Sequence, residues 1–172
     1  MTGLEWRSYD LPDNAFIAPT ARVLGDVRLG DGASIWYSAV VDGREAAVEL
    51  APGANVQDNA VVQATAGHPV SIGAGTSVGH NAHIVGATIE PSSLIAIGCT
   101  VQEGARIGAE SIVGANAVVP AGAHIPPRSL VIGAGRVARP VRPPEVDRIH
   151  RGEAEYRRLA AEHRDTLEQQ AR

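Results

Sequence analysis

The sequence predicts an all-β solenoid, a parallel β-helix of hexapeptide repeats, followed by a single C-terminal α-helix. Three observations predict it. Val, Ile or Leu recurs every six residues over most of the chain; a small residue falls four positions after almost every one of them; and both patterns stop at a Pro-rich stretch, beyond which apolar residues recur at helical spacing. A fixed short period marks a solenoid, in which each repeat buries its one apolar side chain only by stacking on its neighbours.

The beat begins with Ile17, Val23, Leu29, Ile35 and Val41, resumes at Leu50, Val56 and Val62, and again at Ile72, Val78 and Ile84. A five-residue step leads to Ile89, after which Ile95, Val101, Ile107, Val113, Val119, Ile125 and Val131 keep the six-residue count. Four residues on stand small side chains such as Ala33, Ala54, Ala82, Cys99 and Ser111; one residue earlier stand Gly or Asn, as at Gly32, Gly53, Asn59, Asn81 and Asn116. Gly and Asn tolerate the left-handed backbone of a tight corner. Each hexad therefore reads as a short strand and a corner, with one large and one small side chain inward. Three hexads make a triangular turn of 18 residues, stacked ~4.8 Å from the next. Two insertions, about Gly43 to Glu49 and about Ala64 to Val70 (with Gly67-His68-Pro69), should bulge from the coil, where functional loops sit. The expected division is a β-helix domain over 1–140 and a Pro-rich linker plus helix over 141–172. Ile149, Tyr156, Leu159, Ala160, His163 and Leu167 supply the stripe that packs the helix on the coil or on a neighbouring subunit.

Composition narrows the function. All fifteen basic residues are Arg, scattered against nineteen acidic ones, so no basic face for nucleic acid is expected. The single cysteine, Cys99, allows no internal disulfide and suits a core position. No stretch approaches a membrane span and no leader pattern is visible, so a cytoplasmic protein is expected.

From Phe16 to about Tyr156 the chain resembles the γ-class carbonic anhydrase-like family. The resemblance rests on "GDVRLGDGASIWYSAVV", "NVQD", "GHPVSIG", "VGHNAHIVGATI", "IPPRSLVIGAG" and "AEYRRLA"; the runs Ser34-Ile35-Trp36, Asn55-Val56-Gln57-Asp58 and Val78-Gly79-His80 are the specific ones. It implies a left-handed coil and a homotrimer in which three histidines hold zinc or a similar metal between subunits, and metal-bound water attacks CO2. His80 keeps one of those positions. The family's "AVLH" reads Ala60-Val61-Val62-Gln63 here, and its "LHGCTI" reads Val85-Gly86-Ala87-Thr88-Ile89 after Ile84, so Gln63 and Val85 stand where the other two ligands are implied. The family's "RGD" reads Asp42-Gly43-Arg44, with its charges exchanged.

Counting along the coil gives the neighbours. Gln63 and Val85 are 22 residues apart, of which the second insertion supplies four, so they lie one turn apart on one face. One column reads Asp42, Gln63, Val85, Gln102; a second reads Tyr37, Asp58, His80, Ile97, so Asp58 should orient His80. Catalytic zinc needs three His, Cys or carboxylate ligands and an open position. Valine offers no donor and glutamine a poor one, so no metal is expected unless a site is rebuilt around His80, for example with His68 and His83. CO2 hydration is then not expected, because it lacks a metal-activated nucleophile.

Three functional classes follow. The first is a metal-independent enzyme acting on a small organic molecule in the intersubunit cleft, with His80 and Asp42 as proton carriers and Asn55, Gln57, Asp58, Gln63, Val85, Arg44 and Tyr156 lining the substrate. The second is a non-catalytic assembly or scaffold subunit. The third is a hexapeptide-repeat acyltransferase, or a residual metal-dependent carbonic anhydrase. The plainer role of each residue is structural: polar filling of an interface for Gln57 and Gln63, an ion pair for Asp42 and Arg44, interface packing for Trp36 and helix packing for Tyr156.

Overall fold

In the computed structural model, Pro12 and residues 14–170 are described. Residues 1–11, on which the expectation of no leader rests, lie outside them. The chain winds as a left-handed parallel β-helix. Its rungs repeat every 18 residues where the coil is uninterrupted, as in Phe16↔Ser34, Ile17↔Ile35 and Thr100↔Val118. The aliphatic column fills the axis: all nineteen beat positions except Ile17 and Leu29 are buried, and Ile35, Val56, Ile84, Ile95 and Val113 have no exposed surface. The small fifth positions make room beside them, with Ala33, Ala54 and Cys99 equally inaccessible.

The corners take the expected conformation. Asn59, Asn81 and Asn116 have φ of +57° to +59°, and Gly53, at +71°, turns directly beneath the side chains of Glu153 and Arg157. Ser38, Ser92, Glu110 and Arg128 adopt the same left-handed geometry, which the Gly/Asn pattern did not mark. One corner of the buried core is a ladder of hydroxyls: the Ser93 amide donates to Thr76 Oγ1, that of Ser111 to Ser93 Oγ and that of Ser129 to Ser111 Oγ.

Both insertions fall at one corner. The first differs from the expected bulge: it continues as strand, Val40–Leu50, pairing with Arg22–Leu29 on one side and with Val61–Gln63 and Val70–Ile72 on the other. Gly25 and Gly43 let the two backbones pass, since a Cβ on either would collide with the other strand. Beyond the insertion Val27, Val48 and Val70 stack inward, an apolar column the six-residue count skipped. The second insertion is a tight loop closed by a Thr65–His68 bridge.

An antiparallel hairpin, Ser129–Ile132 with Arg136–Pro140, ends the coil. Helix α1, Pro143–Gln170, follows. Proline suits its first turn, where no backbone donor is needed. Glu145 accepts from the Arg142 amide at 2.8 Å and pairs both oxygens with Arg139. These contacts hold its carboxyl down at about 2, against an ordinary 4.5, with Arg139 the larger cause. The helix runs back down the coil, antiparallel to its growth. Val146 and Ile149 pack with Ile112 near its start, and Tyr156, Leu159, Ala160 and Leu167 pack on the main core further on. Among the described residues no helix is long and apolar enough to cross a membrane.

Candidate functional site

The corner after strand Ser77–Val78 carries His80. The Asn81 amide donates to the Asp58 carbonyl, the Asn59 amide to that of Tyr37 and the Gly98 amide to that of His80, so Tyr37, Asp58, His80 and Ile97 occupy one corner on successive rungs, as counted from the sequence. That stacking puts Asp58 Oδ2 3.1 Å from His80 Nδ1, with both side chains about one-third exposed. Helix α1 supplies the next member: Tyr156 Oη lies 3.2 Å from His80 Nε2. With Nδ1–H donating to Asp58, Nε2 is left as the acceptor of the Tyr156 hydroxyl. Burial, and secondarily the Asp58 charge, push the Tyr156 phenol above its ordinary range, so it stays a neutral donor.

Trp36 holds Tyr156 in place. Its indole N–H donates to Ser34 Oγ at 2.9 Å, and its ring meets Tyr156 edge-on at 5.2 Å and 81°. Trp36 is only 4% exposed and is covered by Phe16, Tyr156 and His163 of its own chain, in place of the subunit contact expected for it. Asn55 and Gln57 lie beneath this cluster, 1% and 7% exposed. Asn55 donates to Ser77 Oγ at 2.9 Å and accepts from Gln57 Nε2 at 3.2 Å. A ligand contact through either would therefore require these internal bonds to give way.

The second group of expected residues sits at the other end of the same coil face. Asp42 pairs with Gln63, and Gln63 with Val85, on adjacent strands, as the count required. Arg44 donates to Asp42 through its amide, Nε and Nη2 at 3.1, 2.9 and 2.7 Å. This pairing holds the Asp42 carboxyl below its ordinary value, so Asp42 anchors Arg44 and accepts a proton poorly. Arg44 stays 63% exposed, with Nη1 unused by Asp42. Asp42, Arg44, Glu45, Gln63 and Ala64 line a shallow pocket of ≈ 220 Å³. Glu45 also accepts from the Ala66 amide, tying the two insertions together. His68 stands over this corner, 3.5 Å from Glu103, and Glu103 accepts from Thr65 Oγ1 at 2.6 Å.

Within one chain the two groups do not meet. Four residues separate His80 from Val85, and the left-handed corner at Asn81 puts His80 at the corner and Val85 at the far end of the strand His83–Val85. His83 points to solvent from the strand between them and joins neither group. Val85 has no donor atom, Gln63 offers a neutral amide, and both ring nitrogens of His80 are engaged within its own chain; within one chain, among the described residues, no three His, Cys, Asp or Glu side chains cluster around a common point.

The tyrosine on the helix and the buried cluster under it were harder to read from sequence than the columns. His163, aligned only as part of an apolar stripe, packs on Phe16, Trp36 and Tyr37 and hydrogen-bonds the Tyr37 hydroxyl at 2.9 Å.

Comparison with known proteins supplies the context. The chain is 40% identical over 156 residues to "Probable carbonic anhydrase" of Methanocaldococcus jannaschii, covering 90% of this chain and 96% of that one. It is 34% identical over 156 residues to "Gamma carbonic anhydrase 1, mitochondrial" of Arabidopsis thaliana, covering 87% of this chain and spanning only 57% of the plant protein. Among solved structures, a hexapeptide transferase family protein from Anaplasma phagocytophilum superposes with a TM-score of 0.83 at 27% identity, over 87% of this chain and 89% of that one. No family model matches the chain. With the 18-residue rungs, the "VGH" corner and the helix tyrosine on it, these relationships settle kinship: the chain belongs to the γ-carbonic anhydrase-like family of hexapeptide-repeat proteins.

Proposed function

We propose that this chain assembles as a cytoplasmic homotrimer in which the metal site of its family is degenerate, and that it acts on a small organic molecule in the intersubunit cleft by acid–base chemistry without a metal. The observation that carries this reading is the setting of His80. One carboxylate orients its Nδ1, a neutral phenol meets its Nε2, and the side chain is still 37% exposed. An imidazole oriented by a carboxylate on one nitrogen and facing a hydroxyl on the other has the geometry of a general acid–base group.

The trimer is part of the proposal because the site is divided. The Asp42–Arg44–Gln63 pocket and the His80 corner lie at opposite ends of one face, and joining two subunits brings one chain's corner against its neighbour's pocket. In this arrangement His80 carries the proton. Arg44, fixed by Asp42, and the amide of Gln63 hold a polar group of the substrate, and Val85 covers the place beside them. Asp42 serves as the anchor of Arg44. Asn55 and Gln57 support the floor, and Asp58 and Tyr156 set the state of His80.

The test is a binding screen of small carboxylic acids and amides, followed by crystal soaks. A ligand seated between the His80 corner and the Arg44–Gln63 pocket is expected, with affinity reduced at least ~10-fold, or about 1.4 kcal/mol, in His80→Ala. An empty cleft together with specific capture of a partner protein would favour the scaffold reading. Acyl-CoA binding along the coil would favour a transferase.

A further inference from the structure

Helix α1 touches the coil's functional column twice, with the residue types exchanged. Tyr156 of the helix meets His80 of the coil, and His163 of the helix meets Tyr37 of the coil, at 3.2 and 2.9 Å. The spacings match. Tyr37 and His80 are two rungs apart, ~9.6 Å along the coil. Tyr156 and His163 are seven residues, or two helical turns, apart, ~10.5 Å along the helix. Because α1 runs antiparallel to the coil, the later helix residue meets the earlier rung. Slippage of the helix by one turn would break both bonds together.

We infer that Tyr37 and His163 are positioning residues for His80, acting through α1: their hydrogen bond sets the register in which the Tyr156 hydroxyl occupies His80 Nε2. The inference rests on the reading of His80 as the acid–base group. The second contact is well built to hold a register. The His163 ring is wedged against Trp36 at 5.2 Å and 78°, against Phe16 at 5.9 Å and against Tyr37 at 5.7 Å. Trp36 in turn supports Tyr156, so both clasps share one aromatic wall. The intervening Leu159 and Ala160 pack on the coil's core and give the helix segment no slack. The lone pair that the helix covers is the one a substrate proton would need. Tyr156 must therefore rotate away, or α1 lift, each time His80 takes a proton, and the Tyr37–His163 bond governs how readily that happens.

Diethyl pyrocarbonate acylates neutral imidazole at an uncovered nitrogen, and peptide mapping by mass spectrometry reads each histidine separately. Tyr156→Phe should raise the rate at His80 roughly threefold to tenfold, the range one neutral hydrogen bond supports. Tyr37→Phe and His163→Leu should raise the same rate, and His163→Asn, which restores a hydrogen-bonding group near the Nδ1 position, should bring it back toward wild type. Loss of helix stability alone would not be rescued this way. If Tyr156→Phe speeds modification while Tyr37→Phe and His163→Leu leave it at the wild-type rate, the second clasp has no hold on His80 and the inference falls.

Nitrogen-15 NMR of the unmodified protein gives a check that no folding defect can cloud. In the deprotonated imidazole, His80 should carry its hydrogen on Nδ1, and an Nε2–H tautomer would overturn the inference. Neither readout involves a substrate. If His80 later proves dispensable for any reaction, the acid–base reading fails while the clasp stands; if the rates ignore the clasp, the reverse holds.

Discussion

His80 shows how one side chain's chemistry is fixed by neighbours distant in sequence: Asp58 from the rung below and Tyr156 from the helix. Around it, residues divide by whether their polar atoms are already committed. Asn55 and Gln57 are, and are buried, so they are best tested as structure. Asn55→Ala strands Ser77 Oγ and the Gln57 amide, and should lower stability by about 1–3 kcal/mol, read as a fall in urea midpoint at unchanged slope and fixed protein concentration. Arg44 keeps Nη1 beyond its bond to Asp42, and remains the residue best placed to meet a ligand. Asp42→Asn should leave the coil folded, because the amide keeps Oδ1 as acceptor for the Arg44 backbone N–H and Nε, yet weaken any ligand held by Arg44 through loss of the charge that anchors it, measured by calorimetry with a hit from the soaks.

Elements here are short, and corners and caps decide their stability. Gly53 and Gly122 share a left-handed backbone, at φ +71° and +67°, but nothing lies within 4 Å of a Cβ at Gly122, whereas at Gly53 it would strike Arg157 and Glu153. Gly122→Ala should cost about 1–2 kcal/mol from backbone strain alone. Gly53→Ala should cost more and also loosen the middle of α1, visible as faster amide exchange there. At the start of α1, Glu145 is held at about 2, so its contribution to docking the helix is complete above the ordinary carboxyl value of 4.5 and is lost as pH falls toward 2. The stability gap between wild type and Glu145→Gln should accordingly close between pH 4.5 and 2. The rungs and corners were legible because six-residue periodicity and the Gly and Asn positions are local consequences of one repeated geometry. The extra column Val27–Val48–Val70 was not, because the insertions shift the count. Nor was the Tyr37–His163 bond, because a helix's register on a coil depends on packing between segments 126 residues apart.

At the scale of the molecule, the coil is a ruler: residues 21 and 22 apart, Asp42, Gln63 and Val85, become neighbours because strands pair rung on rung. The same ruler separates them from His80 within a chain, which is why the proposed site needs a second subunit. Sedimentation should find a trimer, and a monomer with an ordered coil would remove the cleft. The paired variant Gln63→His, Val85→His should bind zinc, as detected by calorimetry, because two imidazoles would then share one column; no binding would mean that the neighbour's His80 does not approach it. The proposed chemistry requires that this member of the family work without a metal. Elemental analysis of protein purified without chelators tests that most directly. Well under one zinc, iron or cobalt per three chains is the expected result, and a stoichiometric ion retained through gel filtration would rule out metal-free action.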